Sequence, residues 1–239
     1  MRYSLTLSCT NNAQSITSAV LAEIIASEIS ERFNLINLGC VRLADYKINY
    51  CTGCSCCFNY GYCPLDQTDD MHSLRALFMK ADLITLVVPV YAYNVPGIMK
   101  SLIDRLIFWN HILRLTGKKI TVLTLTHNSG SKYVCNYVSN IFSLMGAHLM
   151  HYSTLEIIPE HNSENHIDNL MKRKALDFAK KVDLNVYLNE AQINNHFLGL
   201  KSSIVDAIKA GRQSFETQYW EESGLLDCSS FSEWESKLL

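Results

Sequence analysis

Five cysteines fall between Cys51 and Cys63, in the stretch CTGCSCCFNYGYCP. Four of them, Cys51, Cys54, Cys57 and Cys63, are spaced C-x2-C-x2-C-x5-C and precede Pro64. Thiolates at such short gaps let one loop wrap a cubane, and bacterial ferredoxin loops use a similar spacing that ends in Cys-Pro. Zinc sites more often place two C-x2-C knuckles across a long insert. A C-x-x-C beside a βαβ pattern also suits a dithiol redox pair. The spacing is therefore read first as a [4Fe–4S] loop, next as thiols kept without a cluster, and then as zinc. Cys56 interrupts the spacing and reads as a bystander. Cys9, Cys40, Cys135 and Cys228 stand alone and read as small buried hydrophobes.

Three further segments carry groups suited to a polar ligand. SCTNNAQSI offers Ser8, Thr10, Asn11, Asn12, Gln14 and Ser15 just before a helical pattern. Hydroxyls, amides and free N–H groups at a helix start bind phosphate without Lys or Arg, although ordinary capping by Ser15 would look the same. PVYAYNVPG, from Pro89 to Gly97, places two tyrosines and an asparagine after an apolar run. Such groups hold a flat ring or simply pack a turn. In THNSGSKY, Gly130 permits close backbone approach, and His127 reads as a solvated loop residue.

These segments need elements to position them. YSLTLSC, NLINLGCVRL, LITLVVPV, KKITVLTL and AHLMHYSTLEI read as strands. LITLVVPV is continuous, apolar and β-branched, as in a buried parallel strand. The helices expected between them are AQSITSAVLAEIIASEIS, DDMHSLRALFMKAD, PGIMKSLIDRLIFWNHILRL and SKYVCNYVSNIFSLMG, with NHIDNLMKRKALDFAKKV after the fifth strand. In the first, Ile16, Val20, Leu21, Ile24, Ile25 and Ile29 share one face. The alternation predicts a parallel sheet covered by helices on both faces. The three polar segments then follow the C-terminal ends of strands one, three and four, which border the ligand crevice of an open α/β sheet. From about Asn185 the rhythm stops and a helical arm is expected.

The chain has 239 residues, 48% of them apolar and 18% charged, with a net charge of −2. That is enough apolar material for a doubly covered core, and it leaves no electrostatic case for nucleic acid. The run from Leu83 to Val90 is too short to span a bilayer, so no membrane association is expected. The N-terminal residues lack the apolar region of a signal peptide. A cytoplasmic location is expected, where nine cysteines point to metal or redox chemistry rather than to disulfides.

With these residues in view, the chain from Ser4 to about Val182 resembles the flavodoxin-like NADPH-dependent FMN reductases, and within them the iron–sulfur flavoproteins. The likeness rests on Ile48 leading into the cysteine loop and Asp69-Asp70-Met71, and on Pro89, Val90, Tyr91, Lys100, Asp104 and Arg105. The family's phosphate loop is matched less closely, with Ala13 for a glycine and Gln14-Ser15 for Asn-Thr. The tail with Tyr219, Trp220 and Gly224 is also similar. The resemblance implies a flavodoxin-like α/β fold, a five-stranded parallel sheet of order 2-1-3-4-5. It implies an FMN domain over residues 1–184 with the cysteine-rich loop at 51–63, and a C-terminal helical arm over 185–239.

It further implies FMN in the crevice. Ser8, Asn11, Gln14, Ser15 and Ile16 would hold the phosphate, Pro89, Val90, Tyr91, Ala92, Tyr93, Asn94 and Val95 would flank the ring, and Thr126 and Gly130 would close the far side. The expected activity is FMN-dependent oxidoreduction with NAD(P)H as donor and a small molecule or protein as acceptor. No catalytic side chain is demanded. Three alternatives stand beside it: an FMN and cluster electron carrier without turnover, a reductase of a quinone, nitro compound or specialised metabolite without a working cluster, and a thiol sensor. The arm's apolar face is expected to cover a neighbouring subunit in a homo-oligomer, a dimer or tetramer, with packing on its own domain as the alternative.

Overall fold

The computed structural model describes residues 2–12, 15–157 and 169–238. Five parallel strands form one sheet in the order β2-β1-β3-β4-β5. They are β1 (Tyr3–Ser8), β2 (Ile36–Arg42), β3 (Leu83–Pro89), β4 (Lys119–Thr126) and β5 (His148–Glu156). The order reverses at β1, which pairs with β2 on one side and β3 on the other. Six of the seven β3 residues are buried, as expected of an apolar strand covered on both faces.

Helix α1 (Ile16–Arg32) and helix α6 (Asn169–Lys181) cover one face. Leu21, Ile25 and Ile29 of α1 meet Val87, Leu123, Met171 and Phe178 there. The Arg32 guanidinium donates to the carbonyls of Ala179 and Val182, at 2.9 and 2.8 Å. It thereby satisfies acceptors that the end of α6 leaves open. The opposite face carries α3 (Met71–Lys80), α4 (Gly97–Leu106) and α5 (Ser131–Leu144). Between β2 and α3, the cysteine segment contains a one-turn helix α2 (Cys56–Tyr60).

One expectation changes. The helical pattern over 96–115 divides: α4 stops at Leu106, a 3-10 turn covers Ile107–Asn110, and Leu113 takes a φ of +47°. Phe108, Trp109, Ile112, Leu113 and Leu115 are all buried. A straight helix would have sent some of these five outward, so the break follows from core burial rather than from propensity. The arm forms α7 (Glu190–Lys209), α8 (Phe215–Ser223) and α9 (Phe231–Leu238). Part of its apolar face packs on its own chain: Ile193, Phe197, Ile204, Trp220 and Phe231 share a core with Leu113. Asn189 stitches the arm's start to the sheet, accepting from Leu149 N at 2.9 Å and donating to Ser143 Oγ and Ala147 O. Among the described residues no helix is long and apolar enough to cross a membrane.

Candidate functional site

The loops after β1, β3 and β4 meet at the C-terminal end of the sheet, beside the point where strand order reverses. After β1, Thr10 Oγ1 lies 3.3 Å from the Tyr91 hydroxyl of the β3 loop. Asn11 Oδ1 accepts from Ile98 N in the first turn of α4 at 2.9 Å. After β3, Val90 N donates to Leu125 O, and Tyr91 and Asn94 exchange backbone bonds of 2.8 and 2.9 Å. The two residues between them, Ala92 and Tyr93, have φ of +48° and +62°, the sign a tight two-residue hairpin requires. Neither is glycine, so the backbone stores strain there. It holds Tyr91 and Tyr93 with 40% and 59% of their surface exposed.

After β4, Gly130 has a φ of +88°, and a Cβ there would lie 2.8 Å from Val90 Cγ1 and 3.2 Å from Tyr93 Cα. Only glycine lets the two loops touch. Thr126 Oγ1 donates to Ser129 O at 2.7 Å, and Ser129 Oγ donates to the Tyr93 hydroxyl at 3.2 Å. His127 Nδ1 lies 3.2 Å from Ile157 O, a structural contact.

The expected crevice residues that are described have definite places. Ser8 is fully buried and its hydroxyl pairs with Ser18 Oγ of α1 at 2.8 Å, so it braces the helix under the loop. Ser15 occupies the N-cap of α1 without making a side-chain cap. Pro89 ends β3, and Val95 N donates to Asn94 Oδ1. Gln14 lies outside the described residues, as does the side chain of Ile16, whose backbone opens α1. None of the residues assigned to the crevice is acidic, and α1 has no acid in its first turn. Among the described residues assigned to the crevice, none sets a carboxylate against a dianionic phosphate at the uncapped helix start. Exposed tyrosines on a rigid hairpin suit a flat ring. The crevice residues fit FMN.

All the cysteines in the 51–63 segment are free. Cys51 and Cys54 are exposed, whereas Cys57 and Cys63 are partly buried. Gly53 N donates to Cys51 Sγ at 3.5 Å. Burial and the neighbouring Cys63 push the Cys57 thiol up to about 11. The Cys56 backbone N–H, then its thiol, hold Cys54 below the ordinary thiol range. Among the described residues no three Cys, His, Asp or Glu side chains converge as a metal-holding group. The donor chemistry suits iron and sulfide, and the loop geometry is open.

Beneath this loop lies a charge network that the sequence did not reveal. The Arg105 side chain is fully buried and pairs with the fully buried Asp69. It also donates to Asp66 at 2.6 Å and to Asn49 O at 3.1 Å. Among the described residues its Nε has no hydrogen-bond partner. Burial opposes its charge, but Asp69 and the Cys63 sulfur outweigh that and hold the guanidinium above its ordinary value. Asp69 is likewise stabilised as a carboxylate against burial, by Arg105 and by the N–H groups of Asn49 and Met71. Arg75 pairs with Asp66 as well. From the arm, Phe215 packs on Gly61, where a Cβ would lie 2.6 Å from its ring. Phe58 stacks near His111, whose Nδ1 lies 2.6 Å from Glu216 of α8. Trp220 of α8 donates to the His111 carbonyl at 2.7 Å.

Comparison with known proteins agrees with this fold. An iron–sulfur flavoprotein of Archaeoglobus fulgidus is 27% identical over 191 residues, covering 78% of this chain and 84% of that protein. One of Methanocaldococcus jannaschii is 38% identical over 65 residues, 27% of this chain and 33% of its own length. Among solved structures, an NADH:FMN oxidoreductase in its apo form superposes with a TM-score of 0.53 at 16% identity, covering 77% of this chain and 91% of that one. The azoreductase AzrA gives 0.51 at 15% identity, covering 76% and 98%. The model of the NADPH-dependent FMN reductase family matches residues 4–157; this chain belongs to that family and is an FMN-dependent NAD(P)H oxidoreductase.

Proposed function

We propose that the crevice at the ends of β1, β3 and β4 holds FMN and passes electrons from NAD(P)H to a small-molecule or protein acceptor. The observation that carries this is the joining of three loops around Gly130, Tyr91 and Asn11 at the strand-order reversal. Bound FMN supplies hydride acceptance and release of one or two electrons. The chain's own residues bind and orient. The N–H groups at the start of α1, with Ser15, Asn11 and Gln14, meet the phosphate, while Ser8 fixes α1 from below. Residues Pro89 to Val95 form one wall, and Thr126 and Gly130 form the other. No side-chain acid or base is assigned. The purified protein should be yellow and release FMN, not FAD, on denaturation. Colourless protein that also fails to take up added FMN would overturn the reading.

The cysteine segment is proposed as the seat of a [4Fe–4S] cluster on Cys51, Cys54, Cys57 and Cys63. Support comes from the spacing, from a chemically apt set of reduced thiols, and from relatives described as iron–sulfur flavoproteins. The loop must close further to bring four sulfurs together, and its exposed, glycine-containing first half leaves room for that. Iron and acid-labile sulfide, measured with flavin on one anaerobic sample, test it. Cys54→Ser should lose iron and keep FMN, whereas Cys56→Ser should keep both. Equal iron loss in the two variants, or no iron in reconstituted wild type, rejects the ligand set. The protein is further proposed to be a homo-oligomer, which light scattering tests.

A further inference from the structure

A cavity of about 440 Å³ opens away from the crevice, between α3, the segment after α4, and α8. Met79, Phe108, Trp109, Ile112, Phe215 and Tyr219 wall it. Phe108, Trp109 and Ile112 are themselves buried, so this wall is part of the core rather than a loose surface. The lining carries the guanidinium groups of Arg75 and Arg114 and the His72 imidazole, and among the described residues no Asp or Glu takes part. Arg75 is neutralised by Asp66. His72 and Arg114 are exposed, and neither side chain makes an ion pair or hydrogen bond among the described residues. Elsewhere the balance differs. The cavity at the other end of the sheet sets Asp82 and Glu235 against Lys119 and Arg2. The cleft beside Tyr60 carries Glu221 and no cation.

Size, wall and charge together select a ligand class. The volume lies in the range of small-molecule sites, roughly 300–1,000 Å³. Aromatic walls favour a flat ring through offset or edge contacts. The unpaired Arg114 guanidinium at the mouth favours an anion and disfavours a cation. We propose that this cavity binds a planar aromatic anion, a bicyclic ring carrying one sulfonate or carboxylate. The ring lies against the Trp109 and Tyr219 wall, and the anion faces Arg114 and His72. Gly61, between Cys57 and Cys63, also lines the cavity, so the ligand sits directly against the cysteine loop. Binding here depends on neither the flavin nor a cluster.

Calorimetric titration of full-length, FMN-loaded protein with naphthalene-2-sulfonate tests this, with 2-naphthylmethylamine as the cationic counterpart. The sulfonate should bind one per chain, at least about tenfold more tightly than the amine. Arg114→Glu should weaken the sulfonate about tenfold or more and reverse the preference. Ala76→Trp, on the exposed surface of α3 at the mouth, should abolish binding, and thermal melts identify any variant that fails to fold. FMN-free protein should bind the sulfonate equally well. Absence of binding, binding indifferent to both substitutions, or binding only when FMN is absent would each overturn the proposal, the last because it places the probe in the crevice. None of these outcomes bears on whether the crevice takes FMN.

Discussion

Arg105 and Lys100 lie on the same helix and both pair with aspartate, yet their surroundings predict opposite consequences. Lys100 and Asp104 are partly exposed neighbours one turn apart, and such pairs are worth about 0–1 kcal/mol. Arg105 and Asp69 are both out of contact with water. Removing one member of a buried pair strands the other charge and costs about 3–5 kcal/mol. Urea unfolding should therefore show a loss of that order for Arg105→Met and less than about 1 kcal/mol for Lys100→Met. Equal losses would mean that the network under the cysteine loop is wet. Gly130 makes a second contrast. Alanine there meets both a left-handed φ and the Tyr93 backbone. The φ alone costs about 1–2 kcal/mol, and the β4 loop must also retreat from the β3 loop. Gly130→Ala should release FMN during gel filtration while the far-ultraviolet circular dichroism stays native. Retention of stoichiometric flavin would show that the loop contact does not shape the crevice.

At the scale of elements, β5 and α7 each hold a partly buried histidine whose neutral form the fold prefers. His151 of β5 packs on Phe178, and burial, then Lys181, lowers its pKa. His196 of α7 contacts the Asn110 carbonyl, and burial again lowers it, beyond what that contact restores. In the unfolded chain both protonate near pH 6.5. As pH falls below that value the unfolded state binds more protons than the folded one. The stability these rings contribute is thus present above about pH 6.5 and lost as pH falls through their folded values. The melting temperature should drop between about pH 7 and 5, and the drop should shrink in the double variant His151→Gln, His196→Gln. An unchanged slope would assign the acid sensitivity to other groups.

Across the whole molecule, what was legible in the sequence follows from how local the cause is. The five strands were legible because continuous β-branched runs such as LITLVVPV carry their burial in themselves. The meeting of the three loops was legible because each follows a strand at the same end of a parallel sheet. The break after Leu106 was not, since it is decided by where Trp109 and Leu113 find a core. The Arg105 network was not, because Asp66 and Asp69 are remote in sequence and meet it only in the fold. The cavity beside the cysteine loop was hidden for the same reason, since its lining comes from four separate segments.

The arm is the largest such case, for an apolar stripe does not say which chain will cover it. Its packing on its own domain changes what truncation should do. Had it covered only a neighbour, a chain ending at Val186 would be a well-behaved monomer. Here truncation would uncover Leu113 and leave the Leu149 N–H and Ala147 carbonyl without their Asn189 partners. A buried group losing its partner costs about 1–3 kcal/mol, and bared apolar surface of this kind drives association. Against a net stability of about 5–15 kcal/mol, a chain ending at Val186 should unfold at lower urea and aggregate at micromolar concentration. It should not dissociate cleanly into folded monomers. A soluble, FMN-binding truncated monomer from a full-length oligomer, seen by light scattering, would instead return the arm to the subunit interface.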